Sequence, residues 1–440
     1  MKRIIFALLL IFPSALLSAQ GVQVPEVNYD ESKVGPYTLE DPLRFANGRR
    51  VRNAADWRLR RQEILDIFQS QMYGQMPPAP DGLYLETIEE GVTLAGFGLR
   101  KQVRMRFRPD GTGPAIDWLV LRPRYAKGPV PTILLLNYYG NQTLLTDKEV
   151  LVCGSWLRNN EQMLIRDHHC CEESRGLLTG HDFISIFPFD MLLARGYAVV
   201  TACYGDVSPD PIRGNNSDVN PQDAAYTGVF ELWGPRDPAR TDNPTALGAW
   251  AWALMRGMDL VERDPALDQS RMVLTGCSRL GKAALIAGAF DERAAVVVPV
   301  QTGGGGVPLA KRNYGETIST ERVSFTHWYC KAYGQYAGNE DKMPFDQHLL
   351  LSCIAPRALL VEGFDKPWFD TKGEFLALQA ASPVWPFLGR TGLPSVSWPD
   401  DYDTSAIGPW LGYVRRDQAH GIAACDWTWM LAFADRVFGL

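Results

Sequence analysis

The pattern of hydrophobic and polar positions changes character along the chain. Between Leu83 and Leu121 short runs alternate in polarity, as in residues 102–107, and a Pro-Asp-Gly-Thr-Gly turn signal separates them. This pattern predicts antiparallel hairpins. Beyond residue 130 the apolar runs become continuous, which is typical of strands that are buried on both faces of a sheet. These runs are 132–136, 198–202, 272–275, 294–300 and 358–361.

Segments with helical spacing precede and separate these runs, namely 57–72, 247–263 and 427–438. Buried parallel strands that alternate with helices predict the α/β class. We expect a three-layer sandwich with a mostly parallel central sheet and an N-terminal antiparallel extension. No repeat or linker interrupts the pattern, so residues 20–440 are predicted to form a single domain. The stretch 143–187 is the least regular part and is predicted to be a surface insertion.

Residues 1–19 have the pattern of a secretory signal peptide. A positive start, Met1-Lys2-Arg3, precedes the apolar run 4–12 and a small-residue stretch that ends at Ala19. The apolar run is shorter than the roughly 18–20 residues that span a bilayer. Cleavage after residue 19 and a secreted or periplasmic location are therefore predicted, with a retained anchor as the alternative. Export would permit disulfides among the eight cysteines, although spacing does not assign the pairs.

Composition and charge narrow the possible partners. Hydrophobic residues make up 46% and charged residues 21% of the 440 residues, which excludes global disorder and is compatible with a large core. The formal net charge is −6 and the chain has no basic block, so nucleic acid is not expected as a partner. We expect a monomer that has no membrane contact once the signal is removed.

A strand, a sharp turn and a helix surround Ser278. The apolar run 272–275 leads into the turn Gly-Cys-Ser-Arg-Leu-Gly-Lys at 276–282, and helical spacing follows. A nucleophile elbow has this order, because a strained turn holds the serine hydroxyl above the sheet at a helix N-terminus. The usual Gly-x-Ser-x-Gly pattern is not met, since Gly281 lies one position late. The alternative interpretation is a tight turn with a capping serine.

Three histidines follow Ser278, and His420 suits a general base best. In this class of fold the chain order is serine, acid, histidine. His420 lies in a loop ahead of the terminal helical segment, where the last strand of an α/β-hydrolase delivers its histidine. His327 and His348 lie in segments predicted to be helical and are interpreted as packed or surface residues. A loop histidine without a role remains the alternative for His420.

The predicted acid of the triad is Asp365. It follows the buried run 358–361 on the side of the sheet where a carboxylate could orient His420. Glu362 and Asp370 are nearby competitors, and each could instead be a solvated loop charge.

Taken together, these motifs resemble the glucuronoyl esterases, carbohydrate esterases that cleave esters of 4-O-methyl-glucuronoyl groups on xylan. The resemblance covers nearly the whole chain after the signal, and the turn at 276–282 is its most specific part. The other matching stretches are 28–31, 196–201, 204–206, 209–210 and 249–252.

The resemblance implies a role for several side chains. Ser278 would be the nucleophile, His420 the general base, and Arg279 a guanidinium donor beside the backbone donors that face the oxyanion. Lys282 and Glu316 would hydrogen-bond sugar hydroxyls, since residues 311–316 match the family's Arg-x-x-Gly-Glu pattern. Trp368 would lie against the sugar ring. Outside this family context, an exposed charge and ordinary core packing are the alternatives for these three residues.

One position departs from the fungal members, which carry the acid after the strand that follows the nucleophile helix. Here Gln301 stands where that glutamate would be, and an amide cannot ionise. Several bacterial members resemble this sequence in placing the acid after a later strand, which agrees with Asp365. Fungal members also join the cysteine before the serine to one directly after the histidine, but Gly421 occupies that place here.

The implied activity is that of a carboxylic ester hydrolase. The resemblance implies hydrolysis of uronic acid esters that link glucuronoxylan to lignin-type alcohols, with no cofactor and no metal. Another carbohydrate esterase acting on acetyl or methyl esters, and a non-catalytic glycan-binding homologue, remain alternatives.

Two further groups of residues suggest other chemistry. The run Asp-His-His-Cys-Cys at 167–171 lacks the usual ligand spacing of a metal site, so a loop with a disulfide is preferred. Cys277 as a thiol nucleophile is set aside, because export and the family pattern favour a packed or disulfide-bonded cysteine.

Overall fold

A mostly parallel sheet of nine strands forms the centre of the part of the chain that the computed structural model describes, residues 26–179, 186–212 and 226–440. The strands are hydrogen-bonded in the order β1-β2-β3-β5-β4-β6-β7-β8-β9. They are β1 (Tyr84–Thr93), β2 (Gly98–Arg106), β3 (Ala115–Pro123), β4 (Val130–Asn137), β5 (Ala198–Cys203), β6 (Leu267–Cys277), β7 (Val296–Val300), β8 (Ala358–Phe364) and β9 (Leu411–Arg416).

The direction of the strands confirms the two zones that the polarity pattern predicts. Strands β1, β2 and β3 pair antiparallel, and β3 joins β5 in the same sense. From β5 through β9 every pairing is parallel. All residues of β4, β5, β7, β8 and β9 are buried, which requires cover on both faces of the sheet. The α/β class with an N-terminal antiparallel extension is therefore confirmed.

Helices lie between and beside these strands. The longest, α3, contacts α4, β4 and β6, and it is buried over most of its length. The helices of the described residues are α1 (Ala54–Phe68), α2 (Phe189–Ala194), α3 (Ala246–Arg263), α4 (Arg279–Phe290), α5 (Ile318–Ser324), α6 (Gln347–Ser352), α7 (Thr371–Ala381), α8 (Val384–Phe387) and α9 (Ala424–Phe438).

The first helix differs from its predicted bounds because of its capping residue. The side chain of Asn53 accepts a hydrogen bond from the backbone N–H of Asp56 and starts α1 three residues early. At the other end, the residues Gln69–Tyr73 form a π-helical turn that ends at Gly74. A Cβ at Gly74 would lie 2.0 Å from the carbonyl oxygen of Asn243, so the chain must have glycine there.

The predicted insertion at 143–187 has little regular structure where it is described. Its segments there are the short 3-10 turns 161–163, 172–174 and 177–179. All eight cysteines of the chain have free thiols, so the predicted loop disulfide near Cys170 and Cys171 is wrong. No helix of the described residues is long and apolar enough to cross a bilayer. The predicted signal peptide at 1–19 lies outside the described residues.

Candidate active site

Ser278 lies in a strained turn between β6 and α4. Its φ of 59° and ψ of −129° are unusual for a residue with a side chain, and such strain is characteristic of functional turns. The Ser278 N–H donates to the carbonyl oxygen of Val300 at 2.9 Å. A Cβ at Gly276 would lie 2.4 Å from the Leu280 carbonyl oxygen, and one at Gly281 would lie 2.7 Å from that of Gly276. The late glycine is therefore required where strand and helix meet.

His420 follows β9, and its ring is held by Gln301. His420 Nδ1 lies 2.8 Å from Gln301 Oε1, and the backbone N–H of Gly421 donates to the same oxygen at 2.9 Å. Because Gly421 N–H can only donate, the atom that it contacts must be the amide oxygen, and His420 Nδ1 must then carry a proton. The lone pair is left on Nε2, which is the atom that a serine base requires.

The serine and the histidine are each bonded to one of two consecutive residues of the same segment. Val300 accepts from the backbone of Ser278, and the next residue, Gln301, accepts from His420. Gln301 has a φ of 49° and is fully buried, so a second strained residue lies directly beside the first. The Ser278 Oγ has no hydrogen-bond partner among the described residues, as often in hydrolases without substrate.

The imidazole of His420 is kept neutral by its surroundings. Burial lowers its pKa from 6.5 to about 3, and the positive charges of Arg279, Arg416 and Lys282 act in the same direction. The ring lies against Phe369, with centroids 4.7 Å apart. His420 is therefore unprotonated at neutral pH, but no carboxylate at Nδ1 stabilises the imidazolium that forms during catalysis.

The structure corrects the prediction that Asp365 orients this histidine. The side chain of Asp365 is 48% exposed and pairs with Arg415 at 3.0 Å. Asp365 follows β8 at a position that faces the β9 strand, and the Nδ1 position of His420 is already taken by Gln301. The prediction was wrong because sequence gives the end of a strand but not the direction of the next side chain.

The two competing carboxyls have other environments. Asp370 pairs with Arg312 at 2.8 Å and caps α7. Glu362 is fully buried in β8, and neither of its carboxyl oxygens has a hydrogen-bond partner among the described residues. The backbone N–H of Gln301 donates to the carbonyl oxygen of Glu362 at 2.8 Å. Burial raises the pKa of Glu362 well above its usual value, so this carboxyl is neutral.

Arg279 is held in place by a buried acid, Asp210. Arg279 NH1 lies 3.1 Å from Asp210 Oδ2, and the other carboxylate oxygen accepts from Trp328 and contacts His327, each at 2.8 Å. Burial acts to raise the pKa of Asp210, but Arg279 and His327 hold it well below its usual value. The Nε of Arg279 is buried and has no hydrogen-bond partner among the described residues.

His327 and His348 are both buried, so of the two interpretations, packed or surface residue, the first holds. His327 lies in a turn rather than in a helix, whereas His348 lies in α6 and contacts the Glu40 carbonyl oxygen at 2.7 Å.

The cluster beside the Ser278 turn consists of Lys282, Glu316 and Trp368. Lys282 Nζ is 3.3 Å from Glu316 Oε2, and the backbone N–H of Glu316 donates to the Trp368 carbonyl oxygen at 2.8 Å. Lys282 is 1% exposed and Glu316 5%, so the exposed-charge alternative is wrong for both. Trp368 is partly buried.

A second acid, Glu321, belongs to this cluster and was not found from the sequence. It lies 3.8 Å from Lys282 Nζ and accepts a 2.5 Å hydrogen bond from the Tyr329 hydroxyl. Burial, together with the neighbouring Glu316, raises the pKa of Glu321 to about 8, although the positive charge of Lys282 acts in the opposite direction. Its position in α5 gives no sequence signal, since a glutamate in a helix is ordinarily a surface residue.

The geometry favours neither a thiol nucleophile at Cys277 nor a metal site at 167–171. Burial raises the pKa of Cys277 to about 12, so this residue is a thiol and not a thiolate. The ring of His168 stacks on Trp156 with centroids 4.5 Å apart, and its Nδ1 contacts the Leu157 carbonyl oxygen at 3.1 Å.

A parallel sheet with a strained serine at β6 and a histidine after the last strand defines an α/β-hydrolase. Comparison with known proteins makes this class more specific. The family described as "Glucuronyl esterase, fungi" matches residues 215–389. Carbohydrate esterase MZ0003, from an unknown prokaryotic organism, is 36% identical over 413 residues that cover 93% of this chain and 91% of that protein. The chain therefore belongs to the glucuronoyl esterases of carbohydrate esterase family 15, which confirms the resemblance.

Solved structures agree with this assignment. A family 15 esterase from a marine bacterial metagenome superimposes with a TM-score of 0.83 at 36% identity, covering 93% of this chain and 100% of that one. A glucuronoyl esterase from Solibacter usitatus gives 0.82 at 34% identity with the same coverage. The 4-O-methyl-glucuronoyl methylesterase of Podospora anserina is 27% identical over 80% of this chain, which spans only 60% of that protein's length.

Proposed function

We propose that this protein hydrolyses esters of 4-O-methyl-glucuronoyl groups on glucuronoxylan, with Ser278 as the nucleophile and His420 as the general base. The observation that carries the proposal is the fixed tautomer of His420, which leaves the lone pair on Nε2. The printed activity of the relatives, 4-O-methyl-glucuronoyl methylesterase, supports the choice of ester.

The reaction follows the acyl-enzyme route. Ser278 Oγ attacks the ester carbonyl at C6 of the uronate while His420 Nε2 takes the hydroxyl proton. The tetrahedral oxyanion is stabilised by Arg279 and by backbone N–H groups at the start of α4. The alcohol leaves with the proton from His420, and water then repeats the sequence on the acyl-serine. Asp210 contributes indirectly, because it holds the guanidinium of Arg279 in position.

Gln301 takes the orienting place that an acid has in the usual triad. Its amide oxygen fixes the ring and the tautomer of His420, but it adds no negative charge. The backbone N–H of Gln301 donates to the carbonyl oxygen of Glu362, and burial raises the pKa of the Glu362 carboxyl. The base therefore works with orientation alone, and the imidazolium is stabilised less than in a triad with a carboxylate.

Lys282, Glu316 and Trp368 are proposed to bind the uronate ring. The cation and the carboxylate form a buried pair that can donate to and accept from sugar hydroxyls. The residue Trp368 is partly exposed. The proposed enzyme is a single catalytic domain that is exported by its N-terminal signal and acts as a monomer on a polysaccharide, without a cofactor in the reaction.

Two other functions make different predictions for the same experiment. A carbohydrate esterase for acetyl groups would share Ser278 and His420 but would not need the Lys282–Glu316 pair. A non-catalytic glycan-binding homologue is suggested by Gln301 in place of an acid.

The test compares hydrolysis of benzyl glucuronate, methyl glucuronate and acetylated xylan by the purified chain and by Ser278→Ala. We expect hydrolysis of the two glucuronate esters that is lost in the variant. Preference for acetylated xylan would favour the acetyl esterase. Binding of glucuronoxylan without serine-dependent hydrolysis of any ester would show a binding protein instead.

A further inference from the structure

Two thiols and a carboxylate gather at the carboxyl end of β5. Cys203 is the last residue of β5, and Asp206 lies in the 3-10 turn that follows it. Cys153 comes from the predicted insertion. The three possible ligand atoms all lie within 4.8 Å of one another, and Cys203 is buried while the other two residues are partly buried.

The distances within this group fit a tetrahedral cation. With Zn–S near 2.3 Å and Zn–O near 2.1 Å, a sulfur and an oxygen on one zinc ion are separated by about 3.6 Å. Cys153 Sγ lies 3.7 Å from Asp206 Oδ1. The thiol of Cys170 neighbours Cys153 but does not belong to the group of three ligand atoms.

The backbone around the group is fixed on both sides. The backbone N–H of Asp117 donates to Asp206 Oδ2 at 3.2 Å, so Oδ1 is the oxygen that faces the thiol of Cys153. The backbone N–H of Cys153 donates to the side-chain oxygen of Gln142 at 3.1 Å. A Cβ at Gly140 would lie 2.6 Å from the Cys153 Cβ. The segment that carries Cys153 is thus seated tightly, and the donors need little movement to meet one ion.

We propose that Cys153, Cys203 and Asp206 bind one zinc ion or another borderline divalent cation. Thiolate and carboxylate ligands suit such an ion, and both thiols lose their protons to solvent on binding. The ion joins the irregular insertion to the end of β5. A disulfide is the other use of paired thiols, but all the cysteines are free.

The proposal concerns a structural site and is independent of the proposed esterase activity. The experiment uses the full purified chain after reduction and treatment with a chelator, with Co²⁺ as a spectroscopic probe. We expect a sulfur-to-cobalt charge-transfer band that saturates at one equivalent and is removed by one equivalent of Zn²⁺. The band should be absent in Cys203→Ser and much weaker in Asp206→Asn. Cys353→Ser should keep it, since Cys353 is a buried thiol near Arg61.

The cobalt titration of the unmodified chain tests the proposal even if a variant does not fold. A chain that gives no charge-transfer band, or one whose band persists in Cys203→Ser, contradicts the site. A non-reducing peptide map that finds Cys153 quantitatively joined to Cys170 or Cys203 in the protein as purified also overturns it. Zinc that co-purifies at one equivalent and is lost with Cys203→Ser supports it.

Discussion

Replacing Gln301 by glutamate tests how the histidine of this site works. Gln301→Glu keeps the length of the side chain and the acceptor for His420 Nδ1, but it places a carboxylate there. Burial and nearby cations lower the pKa of His420 from 6.5 to about 3. At about 1.4 kcal/mol for each pH unit, this corresponds to roughly 5 kcal/mol against the imidazolium that must form when Ser278 is deprotonated.

A carboxylate in contact with a cation changes a pKa by roughly 1–3 pH units. For His420 the sign is upward, because the new charge favours the imidazolium. The same interaction lowers the barrier by about 1.4–4 kcal/mol. We therefore expect Gln301→Glu to raise kcat/KM at neutral pH by at least about tenfold. The acid limb of its pH profile should move upward by roughly 1–3 pH units.

The assay is hydrolysis of benzyl glucuronate, with kcat/KM measured across the pH range in which both proteins remain folded. Gln301→Met is the matched control, since it keeps the length but removes the acceptor. It should lose on the order of a hundredfold or more, because the tautomer of His420 is no longer fixed. If Gln301→Glu folds like the parent and leaves both the acid limb and kcat/KM unchanged, Gln301 does not orient the base and the reasoning is refuted.

Four other substitutions have defined outcomes. Arg279→Ala should lower kcat by roughly 10²–10³-fold with a small change in KM, because the donor acts on the oxyanion; an effect on KM alone would contradict this. Lys282→Met should raise KM for glucuronate esters and Glu316→Gln should do so less, whereas equal kinetics with the parent would place the sugar elsewhere. Glu321 has a pKa of about 8, above its usual 4.5. The stability that its neutral form contributes is present below pH 4.5 and is lost as pH rises toward 8, by about 5 kcal/mol at most. Urea denaturation should therefore show that the free energy of unfolding falls less steeply between these pH values for Glu321→Gln than for the parent. Parallel curves of this free energy against pH would exclude the effect.

The sequence predicts the strands better than it predicts the acid. Continuous apolar runs mark β4 to β8, because a strand buried on both faces must be apolar along its whole length. The turn around Ser278 is equally clear, since glycines at 276 and 281 are demanded by close backbone contacts that allow no other residue. Both predictions depend on local requirements.

The partners of the site residues depend on contacts between distant segments. Gln301 was placed correctly by resemblance, but its contact with His420 depends on two loops that are 119 residues apart. The prediction for Asp365 was wrong for the same reason, since its side chain pairs with Arg415 on the neighbouring strand. Glu321 could not be found at all, because its burial follows from how α5 packs beside Lys282.

The most direct test of the account is to look for the acyl group on Ser278. Rapid acid quenching of the enzyme during hydrolysis of benzyl glucuronate, followed by mass spectrometry of the peptide that contains residue 278, should reveal a glucuronoyl adduct on that serine. The adduct should be absent in Ser278→Ala, together with turnover. Turnover by Ser278→Ala at the rate of the parent protein would contradict the account.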